Sequence, residues 1–178
     1  MAIIRANNNT LSSVTALPTA ISTGKVLQVV SATKDDVQST TDAETFNDVS
    51  GMSVNITPSS TSNKIFILVN LALGINTSSG YRIHCQITDD SNNVIHSTDT
   101  PGNRREVFTS TILGDTTTMQ TEVFSILLSP SSTSQQTYKV RYTGTGTQAT
   151  KINATGLDTN TSTYTRAVST ITAMEISG

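Results

Sequence analysis

From Lys25 onward the chain alternates apolar and polar residues with a period of two, the spacing of strands with one dry face. Met52, Val54 and Ile56 alternate with Ser53, Asn55 and Thr57. Tyr81, Ile83, Cys85 and Ile87 alternate with Arg82, His84, Gln86 and Thr88. Over Val26 to Val30 both faces are partly apolar. The Asp89 to Asn93 cluster predicts a turn returning into Val94 to Ser97. Further strands are expected over Arg105 to Ile112, Met119 to Leu128, Tyr138 to Tyr142 and Ala167 to Ile176. That makes about nine or ten strands and no long helix, so the pattern predicts an all-β fold. The architecture expected over residues 25–178 is an antiparallel two-sheet β-sandwich of jelly-roll type.

One stretch departs from the alternation. Ile65 to Leu73 is apolar on both faces, broken only by Asn70. An antiparallel sandwich usually wets one face of each sheet, so a doubly apolar strand implies a covering loop or a second subunit. The subunit reading makes Phe66, Leu68, Asn70 and Ala72 the candidate interface of a homotrimer.

The pentapeptide Pro-Ser-Ser-Thr-Ser occurs at Pro58 to Ser62 and again at Pro130 to Ser134, each time between two apolar runs. Proline cannot donate to a strand ladder, and serine and threonine bond to nearby backbone in turns, so each copy predicts a strand-to-strand loop in a protein of hairpin-like units. Residues 1–24 are different. They are polar, with a triple asparagine and isolated apolar residues Ile3, Ile4, Leu11, Val14, Leu17 and Ile21. This spacing suits neither helix nor strand and predicts an extended N-terminal arm that docks on a partner.

Composition supports the strand reading. The chain has 33 threonines and 23 serines, and only 13% charged residues against roughly 25% in ordinary globular domains. A net charge of −2 gives no electrostatic case for nucleic acid or an anionic membrane. No stretch approaches the roughly 18 apolar residues of a membrane span, and the start lacks the apolar segment of a secretory signal, so synthesis in a cytoplasm is expected. The one cysteine, Cys85, excludes an intrachain disulfide and a cysteine-rich metal site, and its setting predicts a buried thiol.

Catalytic chemistry finds no constellation. His84 and His96 fall on successive strands of the predicted hairpin and are expected on its wet face, without the further ligands that a metal needs. There is no Gly-x-Ser-x-Gly elbow, and the acids gather in turns. Thr143-Gly-Thr-Gly-Thr147 lacks the Lys-Ser/Thr and helix of a phosphate loop. No catalytic, cofactor-binding or metal-binding residue is assigned, and a non-enzymatic role is expected.

Gly24 to Thr33 resembles a recurrent module in virion proteins of bacteriophages, particularly marine ones. The resemblance continues in Phe46 to Ile65, in Leu128 to Ser134 and in the closing Ala167 to Ile176. It implies a β-sandwich of the kind found on capsid surfaces and tail fibres, without catalytic content. The short segment before the sandwich and the lack of heptads favour a capsid decoration or cement protein. Such a protein would bind the major capsid protein as a trimer, stabilise the phage head and reside on the particle surface. The alternative is a tail-fibre or receptor-binding domain that attaches to the host surface.

Overall fold

The computed structural model describes residues 24–96, 99 and 102–178. Ten strands follow one another: β1 (Val26–Lys34), β2 (Gln38–Thr40), β3 (Asn47–Ile56), β4 (Lys64–Ile75), β5 (Tyr81–Thr88), β6 (Thr109–Leu113), β7 (Met119–Leu128), β8 (Gln136–Gly144), β9 (Thr150–Ile152) and β10 (Ser169–Ile176). No helix occurs among the described residues.

One sheet runs β1-β10-β4-β7 and the other β3-β8-β5-β6, all ladders antiparallel. Short β9 continues the first sheet beside the last residues of β4, and β2 pairs with β9. Among the described residues only β5 and β6 are neighbours both in sequence and in a sheet. β1 to β2 and β9 to β10 stay within the first sheet without pairing, and every other connection passes between sheets, as in a jelly roll.

The repeated pentapeptide takes a role that corrects the hairpin expectation. Pro58 to Ser62 joins β3 to β4, and Pro130 to Ser134 joins β7 to β8. In both cases the joined strands lie in opposite sheets. Ile56 lies opposite Gln136 and Ile65 opposite Leu128, so the two crossovers sit side by side at one end of the sandwich. Proline and serine end a strand equally well whether the chain then folds back or crosses over. Their local chemistry therefore carries no information about the partner strand.

The core lies between the sheets. Ile65, Ile67, Val69, Leu71 and Leu73 of β4 meet Ile83, Cys85 and Ile87 of β5, with Val140 and Tyr142 of β8 and Ile171 and Ala173 of β10. Cys85 is fully enclosed there, and burial, the largest influence, together with the nearby Glu122 pushes its thiol far above the ordinary range. A disulfide-exchange reagent at pH 8 should leave the folded protein unmodified and label one thiol per chain in denaturant. Rapid labelling of the native protein would contradict the core assignment.

Two buried polar clusters brace the first sheet at its two ends. Asn153, after β9, holds a positive φ of 65°. Its amide donates to the carbonyls of Lys34 at 2.8 Å and Asp36 at 3.0 Å, and its Oδ1 accepts from Ser169 Oγ at 2.6 Å. Ser169 Oγ in turn accepts from the Ala72 N–H. One side chain thus connects the end of β1 to β10 and, through Ser169, to β4.

At the opposite end Glu175 Oε1 accepts from Ser59 N at 2.6 Å, Ser59 Oγ at 2.8 Å and Asn63 Nδ2 at 2.6 Å. Burial is the largest influence on Glu175 and acts to raise its pKa, but the bonds from Asn63 and Ser59 outweigh it and hold the carboxyl below the usual range. The contribution to stability is therefore complete above the ordinary glutamate range and is lost as pH falls through the lowered value. Glu175→Gln should cost about 1–3 kcal/mol at neutral pH. It should also flatten the acid limb of stability against pH in urea melts. A variant with an unchanged acid limb would show that Glu175 is not what the acid removes.

Candidate interaction surface

In antiparallel ladders residues directly opposite one another share a face, so the registers define what the outer side of the β1-β10-β4-β7 sheet displays. Val29 lies opposite Met174, Met174 opposite Phe66, and Phe66 opposite Leu127. This row is apolar across four strands. Val29 is 56% exposed and Leu127 is 52% exposed, with Met174 and Phe66 half-buried between them. The next row contains Ser31, Thr172, Leu68 and Ser125, and the one after it Thr33, Thr170, Asn70 and Val123. At the near end a bulge between Val26 and Gln28 leaves both Val26 and Leu27 exposed. Apolar side chains are thus concentrated toward the end where β1 begins, and the face becomes threonine-rich away from it.

The doubly apolar strand resolves into two halves with different causes. Its inner face is the core. Leu71 to Ile75 is dry on both sides because the chain after β9 lies over it: Asn153 N donates to the Ala72 carbonyl, and a Cβ on Gly74 would drive into the Ala154 carbonyl. Among the sequence-derived interface candidates, Ala72 is therefore only 1% exposed, covered by its own chain, and has no surface to offer a partner. Phe66, Leu68 and Asn70 stand on the uncovered half, with Leu68 36% exposed. Val29, Val123, Leu127 and Met174 complete the face. Alternation does not reveal which strands share a sheet, so the sequence did not bring these residues together. The arm residues Ile3, Ile4, Leu11, Val14, Leu17 and Ile21 lie outside the described residues.

The outer face of the other sheet is covered locally. His84, expected on a wet face, is buried, because the chain around Arg105 to Phe108 lies beside it. Gln86 Nε2 donates to the Glu106 carbonyl at 2.7 Å, Phe108 N donates to the Cys85 carbonyl, and Arg105 pairs with Glu44 at 3.1 Å. Burial first, then the charges of Arg105 and Arg82, holds His84 below its usual pKa. His96 packs at a tilt against Phe108, with ring centroids 5.7 Å apart and ring planes at 51°. The Asp89 to Asn93 turn forms as expected, with Asp89 accepting from Asn93 N and Nδ2 at 2.8 Å.

Among the described residues no three His, Cys, Asp or Glu side chains gather at metal-binding distance. A half-open cleft lined by Asp158, Thr159, Asn160, Thr161, Tyr164 and Arg166 contains one carboxylate. That carboxylate is held by the Arg166 fork at 2.9 and 2.8 Å, which keeps it below the usual range. The carboxylate is engaged in an ion pair. Thr143 to Thr147 is the end of β8 and a turn, tied by Thr145 N to the Arg82 carbonyl.

No family model matches the chain, and no curated protein matches it. Solved structures of infectious bursal disease virus do. The Gx strain structure aligns at 14% identity with a TM-score of 0.44, covering 84% of this chain and 41% of that one. The VP2 subviral particle aligns at 10% identity with a TM-score of 0.39, covering 84% and 39%. This chain spans about two fifths of the length of those chains.

Proposed function

We propose that this chain is a non-enzymatic structural protein of a virion, a decoration or cement protein of a bacteriophage head. In this reading it forms a homotrimer through Phe66, Leu68, Asn70 and their neighbours. It holds the major capsid protein with the arm, residues 1–24, and stabilises the shell without any cofactor. The carrying observation is the apolar row Val29, Met174, Phe66 and Leu127 across the outer face of one jelly-roll sheet. A large apolar patch on an otherwise polar surface marks a place where another protein sits. The phage assignment rests on the resemblance of Gly24 to Thr33, Phe46 to Ile65 and the closing strand to virion modules.

Deleting residues 1–24 tests the docking role. The truncated protein is expected to keep its melting temperature and lose particle occupancy. Full occupancy by the truncated protein would move the shell contact to the sandwich, and a collapse of the melting temperature would place the arm in the core. Recovery of the chain only at the tail would favour the receptor-binding alternative.

A further inference from the structure

The first sheet ends on one side at β7, and this edge is built unlike a protected one. β7 pairs with β4 over ten consecutive positions, from Leu128 opposite Ile65 to Met119 opposite Gly74, without a bulge. Among the described residues no strand ladder occupies its other side. Natural edges are usually blunted by lysine, proline, a bulge or short length. β7 has none of these, and its single charge is Glu122, which accepts from Thr109 Oγ1 at 3.2 Å. Val123, 63% exposed, and Leu127 flank the free edge on the outer face. A regular, apolar, unpaired edge of this length fits an added strand, whose backbone groups complete the ladder and whose side chains extend the apolar row.

We infer that β7 receives residues 11–21 of a second copy of this chain as an additional strand, so that each subunit gives a strand to the next around the trimer. The inference rests on the homotrimer reading above and names the contact that closes it. At least 23 residues precede Gly24, enough for a strand as long as β7 and a further reach beyond it. They leave the sandwich at the edge opposite β7. There the Lys25 carbonyl still accepts from Ser177 N, and Gly178 N donates to Asn63 Oδ1. Only Ser22 and Thr23 separate Ile21 from Gly24, a reach of about 11 Å. The free side of β7 lies four strand spacings from β1, about 19 Å, so residues 11–21 do not reach β7 of their own chain and pair with that of a neighbour. The irregular apolar spacing of this segment does not oppose the pairing, because an added strand is held by backbone groups. Leu11, Leu17 and Ile21 fall on one face of an extended segment and supply its apolar contact, and Ile3 and Ile4 remain for the shell. A donor edge meeting a different acceptor edge is a heterologous contact, the kind that closes a three-membered ring.

The test compares the full-length wild type with full-length Leu17→Asp/Ile21→Asp by residue-resolved amide exchange across β7. In the wild-type trimer all β7 amides should be protected. In the variant the amides facing the free edge, every second residue, should exchange at least about tenfold faster, while those bonded to β4 stay protected. A side-chain contact on the outer face alone would not produce this alternation. Equal exchange in a trimeric wild type and the variant overturns the inference and leaves the trimer intact. A monomeric wild type by sedimentation overturns both. Strand exchange between copies is read with Thr19→Cys/Ser125→Cys under oxidation. Chains linked to one another on a denaturing gel support it, and linkage only within single chains overturns it.

Discussion

Leu68→Asp should convert the assembly into folded monomers. In a single chain Leu68 is 36% exposed, on the outer half of β4 that no loop covers. A carboxylate there reaches water in the monomer, and the fold should lose no more than about 1 kcal/mol, the scale of ordinary surface changes. In the proposed trimer the same carboxylate would be shut away from water without a charged partner, a cost of about 3–5 kcal/mol. At about 1.4 kcal/mol per tenfold, the subunit contact weakens by roughly two to four orders of magnitude. Sedimentation at micromolar concentration should show monomers with an unaltered strand-type circular dichroism spectrum. A variant that stays trimeric would remove the outer face from the interface. An unfolded variant would show that the position is more enclosed than the monomer indicates, and Leu68→Ser, which carries no charge, then reads the contact alone.

The largest effect on the fold itself is expected from Asn153→Ala. The substitution removes two donated bonds and one accepted bond, leaving the buried Lys34 carbonyl, the Asp36 carbonyl in a partly buried contact and the buried Ser169 hydroxyl without that partner. Each such loss costs about 1 kcal/mol or more, and alanine at a positive φ adds about another 1 kcal/mol. The expected drop in unfolding free energy is about 3–5 kcal/mol by urea titration, a large share of the stability of a domain this size. Asn153→Gly separates the two causes, since it accepts the backbone conformation and still forfeits the bonds. If glycine restored wild-type stability, the hydrogen bonds would be energetically idle and the conformation alone would matter.

The sequence made the strands legible because alternation reports how one strand is buried. The runs around Met52, Tyr81, Met119 and Ala173 all became strands of the sandwich. It could not report pairing. β2 and β9, three residues each, carry too few positions for a period to show, yet β9 provides the start of the loop that covers Ala72 and Gly74. The crossovers at Pro58 and Pro130 were visible as loops but not as passages between sheets. His84 followed the period onto an outer face, and only the fold shows that the chain near Arg105 covers it. The candidate surface was half legible for the same reason: Phe66 and Leu68 belong to a strand with an unusual pattern. Val29, Met174 and Leu127 look ordinary until the registers align them with Phe66.

The measurement closest to the central claim is the copy number and position of this chain on purified particles from infected hosts, by quantitative mass spectrometry and labelled electron microscopy. A structural protein of the head predicts many copies, in multiples of three, spread over the shell. Absence of the chain from purified particles, or a few copies confined to the tail, would contradict it.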